Sequence, residues 1–414
     1  MPLLPVVSRF GIVAGILLIA LPAFAVPDEL TLAEAERLAV ESAPWLKHHR
    51  AASQAAAERA VYEGRLPDPQ LTLGALNVPA DSLRLNQEDM TMLMVGVRQS
   101  FPPGQTLKLR EQRAQNESAG EQAKNALEQR LLLKQVRLNW LDLYYQEAAL
   151  RQIAEARRLQ QKQIESIEGR FRAAQEPPQA VFKARAALAR LNERTPMIEA
   201  QQARVRAQLG HWLGEAAYAA LPEKLPELPP FAEFDVARHP EIEAARAMEK
   251  AARADVGIAS QEYKPGWMLD INYGIRQDAP SGMQRPNLVT AMVTVDLPLF
   301  RSSRQNRRVA EKQALADGAG HEIDDKRREL EMMYRGLRAE HAALTVRATV
   351  FENELLPALR RETQVTATGF ARDQADYRDA QMRLLDAELE YTRLRVDIAR
   401  THSEILFLAG EQQP

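Results

Sequence analysis

The sequence predicts a mainly α-helical fold with a β-barrel portion: a long coiled-coil helical barrel, four membrane-crossing strands per chain and an internal two-fold repeat. Three observations predict it. Pro44 and Pro240 each open a helical run and lie 196 residues apart, as do Pro69 and Pro265, which open stretches of apolar–polar alternation. The helical runs are very long, with no proline between Gln105 and Arg172. Between them lie four short stretches in which apolar and polar residues alternate with period two, the pattern of a strand with one wet face.

Taken in order, residues 1–25 read as a secretory leader. Arg9 supplies the positive start, residues 10–21 the apolar run, and Ala23-Phe24-Ala25 the small-x-small cleavage pattern. Residues 26–220 form a first repeat with a hairpin at 69–101, and residues 236–414 a second with a hairpin at 266–300. The join, 221–235, holds Pro222, Pro226, Pro229 and Pro230, so it is no helix interior. In the second hairpin Leu269, Ile271, Tyr273 and Ile275 alternate with Asp270, Asn272 and Arg276, and Val289, Ala291, Val293 and Val295 with Thr290, Thr294 and Asp296. Each stretch approaches the ~9–11 residues of a tilted bilayer crossing. The first hairpin is weaker, with Leu71, Leu73 and Ala75 in one strand and Leu93, Val95 and Val97 in the other. In the last helical run Tyr377, Leu384, Tyr391, Ile398 and Ile405 recur every seven residues, and Ala380, Ala387, Leu394, Thr401 and Leu408 follow three later. Leu131, Leu138 and Tyr145, with Leu141 and Ala148, give a shorter seam in the first half, broken by Lys134.

Bulk composition narrows the function. A net charge of −2 gives no electrostatic basis for binding nucleic acid. The absence of cysteine excludes disulfides, thiolate metal sites and cysteine nucleophiles. Four spanning strands cannot close a barrel alone, and open edges in lipid leave backbone polar groups unpaired. Three copies, supplying about twelve strands, would enclose a lumen. Asp270, Asn272, Arg276 and Asp296 would then face water.

With these residues in place, the chain resembles the TolC-type outer-membrane efflux family over nearly all of residues 26–414. The opening Leu30-Thr31-Leu32-Ala33-Glu34-Ala35 is similar to that family's first helix, Leu66-Pro67-Asp68-Pro69-Gln70-Leu71 to its approach to the first strand, and Pro298-Leu299-Phe300 to its exit from the last. The resemblance implies a homotrimeric passive tunnel from periplasm to exterior, set in outer-membrane lipid. It also implies docking to a periplasmic adaptor (membrane fusion) protein and an inner-membrane pump, with no cofactor. By position, the docking tips would be the helical turns at Arg170-Phe171 and Gly369-Phe370. The family's aperture carries two aspartates three residues apart; here Asp379 matches the first and Met382 replaces the second, which departs from a two-ring gate. The Pro-Asp-Pro-Gln approach also resembles the family's heavy-metal branch (copper/silver or cobalt–zinc–cadmium), with drugs or a polypeptide as the other cargoes.

Half of the twelve methionines fall in the hairpins. Met92 and Met94 share a strand face, which suits either a soft Cu(I) or Ag(I) ligand pair or simple gap-filling. His211, His321, His341 and His402 are scattered without ligand spacing, and no glycine-rich phosphate loop, nucleophile elbow or zinc motif occurs. The reading is therefore a non-enzyme, with a soluble periplasmic coiled-coil scaffold as the competing class.

Overall fold

The computed structural model describes residues 29–368 and 374–411; the expected leader, Gly369 and Phe370 lie outside the described residues. The chain runs α1 (Leu32–Ser42), α2 (Pro44–Glu63), β1 (Gln70–Leu76), β2 (Met92–Phe101), α3 (Thr106–Arg172) and α4 (Pro178–Leu213). It continues through α5 (Pro240–Gln261), β3 (Trp267–Ile275), β4 (Leu288–Val295), α6 (Gln305–Val350), α7 (Leu356–Thr368) and α8 (Gln374–Ala409). Long helices joined to one small antiparallel sheet make the fold.

Local chemistry sets the helix starts. The Thr31 hydroxyl accepts the Glu34 amide at 3.2 Å, a threonine-to-glutamate spacing that closes the first turn of α1. The helices α2, α4 and α5 each begin on a proline, where the missing N–H costs no hydrogen bond, and the preceding residue is extended as a pre-proline position favours. The helix α3 runs 67 residues unbroken, about 100 Å. Its counterpart is not uniform. Pro357 has no N–H to return to the preceding turn, and the Leu356 amide bonds instead to the Phe351 carbonyl, opening a π turn at Phe351–Leu355 between α6 and α7.

The strands lie in the order β1-β2-β3-β4, all antiparallel. Two hairpins are thus joined through β2 and β3, with Arg98 opposite Asp270 and Phe101 opposite Trp267. All four helix–strand junctions fall at one end of the sheet and both hairpin loops at the other.

The main core surrounds the middle of α3. Trp140, Leu141 and Leu143 are fully buried with Leu30, Leu38, Leu46, Leu209 and Val396, drawn from α1, α2, α4 and α8. Trp140 donates its indole N–H to the Leu30 carbonyl at 2.9 Å. Chain ends are tied at this level. The Leu30 amide bonds to Ala220 at 2.7 Å, and the proline-rich join bonds to the C-terminal end through Ala232 and Gly410 at 3.0 Å. Arg137, buried in α3, pairs with Glu36 at 2.6 Å and with Glu411.

The heptad reading of α8 holds on one edge, where Ala380, Ala387, Leu394, Thr401 and Leu408 are all buried; of the other seam positions Ile405 is buried and Tyr377, Leu384, Tyr391 and Ile398 are half-buried. The first-half seam holds at Leu141 and Ala148, both buried, and fails at its other positions. Leu131, Leu138 and Tyr145 are only half-buried, and the buried stripe is Leu132, Val136, Trp140 and Leu143. The helix α3 packs on α1, α2, α4, α5 and α8, so several faces are covered and a single two-helix seam does not describe it. Lys134 is no simple break either, because its ammonium sits 4.1 Å from the Phe407 ring and burial lowers its pKa.

Two outcomes are expected. Trp140→Ala removes the central side chain and the bond to Leu30, and costs about 3–5 kcal/mol by thermal unfolding in detergent. The second concerns His239, buried at the start of α5, whose Nδ1 accepts the Glu241 amide at 3.3 Å. Burial, and after it the charge of Arg130, push its pKa down from 6.5 to about 4. The unfolded chain therefore takes up the proton first, and stability is lost as pH falls from 6.5 toward about 4. Melting temperatures across that window should decline more steeply for the natural chain than for His239→Asn, which keeps a capping acceptor without a titrating ring.

Candidate functional site

Strand parity divides the sheet into two unlike faces. One carries Leu71, Leu73, Val95, Val97, Ile271, Tyr273, Val289 and Val293, all of them exposed, with Leu73 at 68% and Val289 at 72%. A contiguous apolar face of this kind is a surface for lipid or protein, not for water. The strands β1 and β4 are each paired on one side only, so both sheet edges present unpaired backbone groups.

The opposite face is polar and tightly fitted. Arg98 on β2 reaches Asp270 on β3 at 2.7 Å, bonding the two hairpins side chain to side chain. Asp270 is 3% exposed, and its Oδ2 has no partner among the described residues. Next to this pair, Asn272 lies across Gly96; a Cβ there would stand 1.9 Å from Asn272 Oδ1, so only glycine admits it. Met92 does the same over Gly274, its sulfur 2.5 Å from where a Cβ would be. Two large side chains thus lie over two glycines on this face.

The four expected wall residues do not form one cluster. Asp270 and Asn272 lie on the polar face, within β3. Arg276 lies just past β3 at the loop end, donating to the carbonyls of Pro286 at 2.7 Å and Asp89 at 3.1 Å. Asp296 lies just past β4 at the helical end, exposed, its amide bonded to Gly266 at 2.9 Å. Met92 and Met94 share the polar face, Met92 buried and Met94 half-buried. Sequence reasoning missed Arg285. Its guanidinium is buried and joins the second loop to the first through Asp89 at 2.6 Å and the Asn86 carbonyl at 3.0 Å. A lone arginine in a polar loop carries no signal of such a role.

At the other end of the helices, the turn from α3 to α4 is built on Ala174 in the left-handed region, φ 56°, with the Gln175 amide bonded to Arg170 at 2.9 Å. Phe171 and Phe182 stand exposed beside a cleft of about 290 Å³ lined also by Glu168, Pro178, Val181 and Arg185. Asp379 is exposed on α8. Met382, three residues on, is half-buried and packs against Ile153, Leu191 and Leu385. Packing of α6 on α8 sets the rings of His341 and His402, distant in the sequence, 5.7 Å apart, both against Phe231. Among the described residues, no three of His, Cys, Asp or Glu converge to hold a metal ion. No helix among them is long and apolar enough to cross a membrane.

No family model and no curated protein matches the chain. Solved structures do. The outer membrane protein VceC of Vibrio cholerae superposes with a TM-score of 0.74 at 17% identity, over 92% of this chain and 96% of that one. CusC, described in terms of folding and transmembrane channel formation, gives 0.75 at 14% identity over 92% of each chain. The MtrE outer membrane channel of Neisseria gonorrhoeae, in its open state, gives 0.72 at 16% identity over 92% and 89%. The chain therefore has the fold of outer-membrane channels, a helical body with a β portion.

The Arg98–Asp270 pair generates a test. Arg98→Met strands a buried carboxylate and should destabilise the protein by about 2–3 kcal/mol, below the usual range for a fully buried pair because Arg98 is 40% exposed. The double variant Arg98→Met with Asp270→Met should recover most of that loss in detergent unfolding curves.

Proposed function

We propose that the protein is an outer-membrane channel that works as a homotrimer, a passive export conduit from the periplasm to the exterior. It would form the outer component of a tripartite efflux system, docked to a periplasmic adaptor protein and an inner-membrane pump. One observation carries the reading: a four-stranded sheet with one predominantly apolar, exposed face and both edges open. In lipid such a sheet is admissible only as part of a closed barrel. Joining β4 of one protomer to β1 of the next, around a three-fold axis, closes about twelve strands, enough for a water-filled lumen. The shared fold with outer-membrane channels supports this.

The proposed cargo is heavy-metal cations. Support comes from Met94, Met268 and Met292, which by strand parity share the polar face with Met92 and Asp270. Thioether is a soft ligand that favours Cu(I) or Ag(I). The proposed adaptor surface is the α3–α4 tip with Arg170 and Phe171, together with Gly369 and Phe370 in the second repeat. The proposed aperture group is Asp379, exposed on α8; a ring of three carboxylates there would attract cations and oppose anions. Met382 is committed to helix packing.

Purified protein in a planar bilayer should conduct, and Asp379→Ala should weaken block by multivalent cations several-fold; block unchanged by the substitution would remove Asp379 from the constriction. A deletion strain challenged with copper, silver, zinc, cobalt and a drug panel assigns the cargo, metal sensitivity alone being the expected result. Fractionation without detergent settles the class: a soluble scaffold leaves the membrane pellet, whereas the channel stays in it.

A further inference from the structure

The junction between sheet and helices carries charge that the protomer does not use. From residue 297 to residue 308 the chain holds four arginines and no acid. Arg308 pairs with Glu262 at 2.7 Å. Arg301 touches only the Pro298 carbonyl of its own turn, at 3.3 Å. Arg304 and Arg307 are exposed and have no side-chain partner among the described residues. The matching junction in the first repeat is alike, with Lys108 and Arg110 exposed in the opening turns of α3. Neither α3 nor α6 has an acidic residue in its first turn. The positive end of a helix dipole is where cations are least favourable and an external anion most so.

A second feature sits at the same level. Leu297, Leu299 and Phe300 are 69%, 74% and 72% exposed, continuous with the apolar strand face. Phe101 stacks on Trp267 with ring centroids 3.8 Å apart, at the last strand pair before the helices and on the apolar face. Aromatic side chains so placed mark a bilayer interface. Apolar side chains that end at an aromatic pair and give way to unpaired arginines match the section of a lipid leaflet: acyl chain, interface, headgroup.

We infer that the helix–strand junction is a docking collar for anionic phospholipid headgroups of the periplasm-facing leaflet, engaged by Arg301, Arg304 and Arg307. The occupant follows from charge complementarity and from the collar's continuity with the apolar face. It rests on the membrane reading above, and the test separates the two.

Trp267 is the reporter, since Trp45, Trp140 and Trp212 belong to the core at mid-helix. The protein is placed in phosphatidylcholine vesicles containing either brominated phosphatidylglycerol or brominated phosphatidylcholine at the same mole fraction, and fluorescence quenching is read. The glycerol lipid should be enriched at Trp267 by at least about fivefold, the effect of one surface arginine fully engaged, and added salt should shrink the preference. Arg301→Gln, Arg304→Gln and Arg307→Gln together should abolish it while far-UV circular dichroism is unchanged, and the triple lysine variant should keep it. Equal quenching by the two lipids in the natural protein overturns the collar, as does a preference that survives the glutamine variant; either result points to a neighbouring copy as the partner of these arginines. No quenching by either lipid overturns the membrane reading itself.

Discussion

Everything in this fold answers to one constraint: a backbone N–H or C=O cannot be left unpaired in hydrocarbon. A helix satisfies its own polar groups, but none of the described helices is apolar enough to use that solution in a bilayer. The chain instead presents four strands with an apolar face, and the two outermost are half-paired. The open edges and the apolar face are therefore linked problems. On the channel reading proposed above, burying the face in lipid requires partners for the edges, and β4 of one copy beside β1 of the next would supply them. The polar face is then a wall by default, which is why its side chains are small, paired or laid flat over Gly96 and Gly274.

The duplication makes this sheet cheap to build. Each repeat supplies a hairpin, and the two meet at β2 and β3, where Arg98 and Asp270 bond across the join. Asp270 gains a charged partner that offsets much of its burial, and the pair also fixes register, since a slip of one strand by one residue would put Arg98 and Asp270 on opposite faces of the sheet. The loops are pinned in a similar way by Arg276 and Arg285, each of which bonds to backbone or carboxylate groups of the opposite hairpin. Arginine suits this role because its planar fork satisfies several acceptors at once.

How much of this was legible in the sequence follows from the range of each interaction. Strand positions and faces were legible, because alternation in Leu269–Ile275 or Val289–Val295 is a local property. So was the length of α3, which depends on the absence of proline. The stripe through Leu132, Val136 and Trp140 was not legible, because a heptad rule assumes one partner helix and α3 has five. The π turn at Phe351–Leu355 had a local cause, Pro357, but a proline inside a long helix announces only a disturbance and not its form. The contact of His341 with His402 and the bridging by Arg285 were invisible, since both join residues from separate elements. Met382 neighbours Asp379 on the surface of α8, and its half-burial against Ile153, Leu191 and Leu385 depends on helices the local sequence does not reveal.

The distribution of apolar burial bears on where such a molecule would yield first. The large core lies at mid-helix around Trp140, reinforced by the ties of Leu30 and Ala232. Toward the tips the apolar clusters shrink to Ile153, Leu191 and Leu385, and then to Ile167, Val181 and Ala184. Contacts there become polar: Gln163 with Gln381 at 2.5 Å, Arg194 with Asp386 at 2.6 Å and Arg185 with Glu168 at 2.7 Å. Exposed ion pairs of this kind contribute about 0–1 kcal/mol each and are screened by salt. Separating the helices near the tips thus gives up little buried apolar area, whereas separating them at mid-helix gives up the core. Local opening draws on the least stable elements of a structure, so a partner bound at the α3–α4 turn would act on the end of the molecule where its binding energy has least to oppose it.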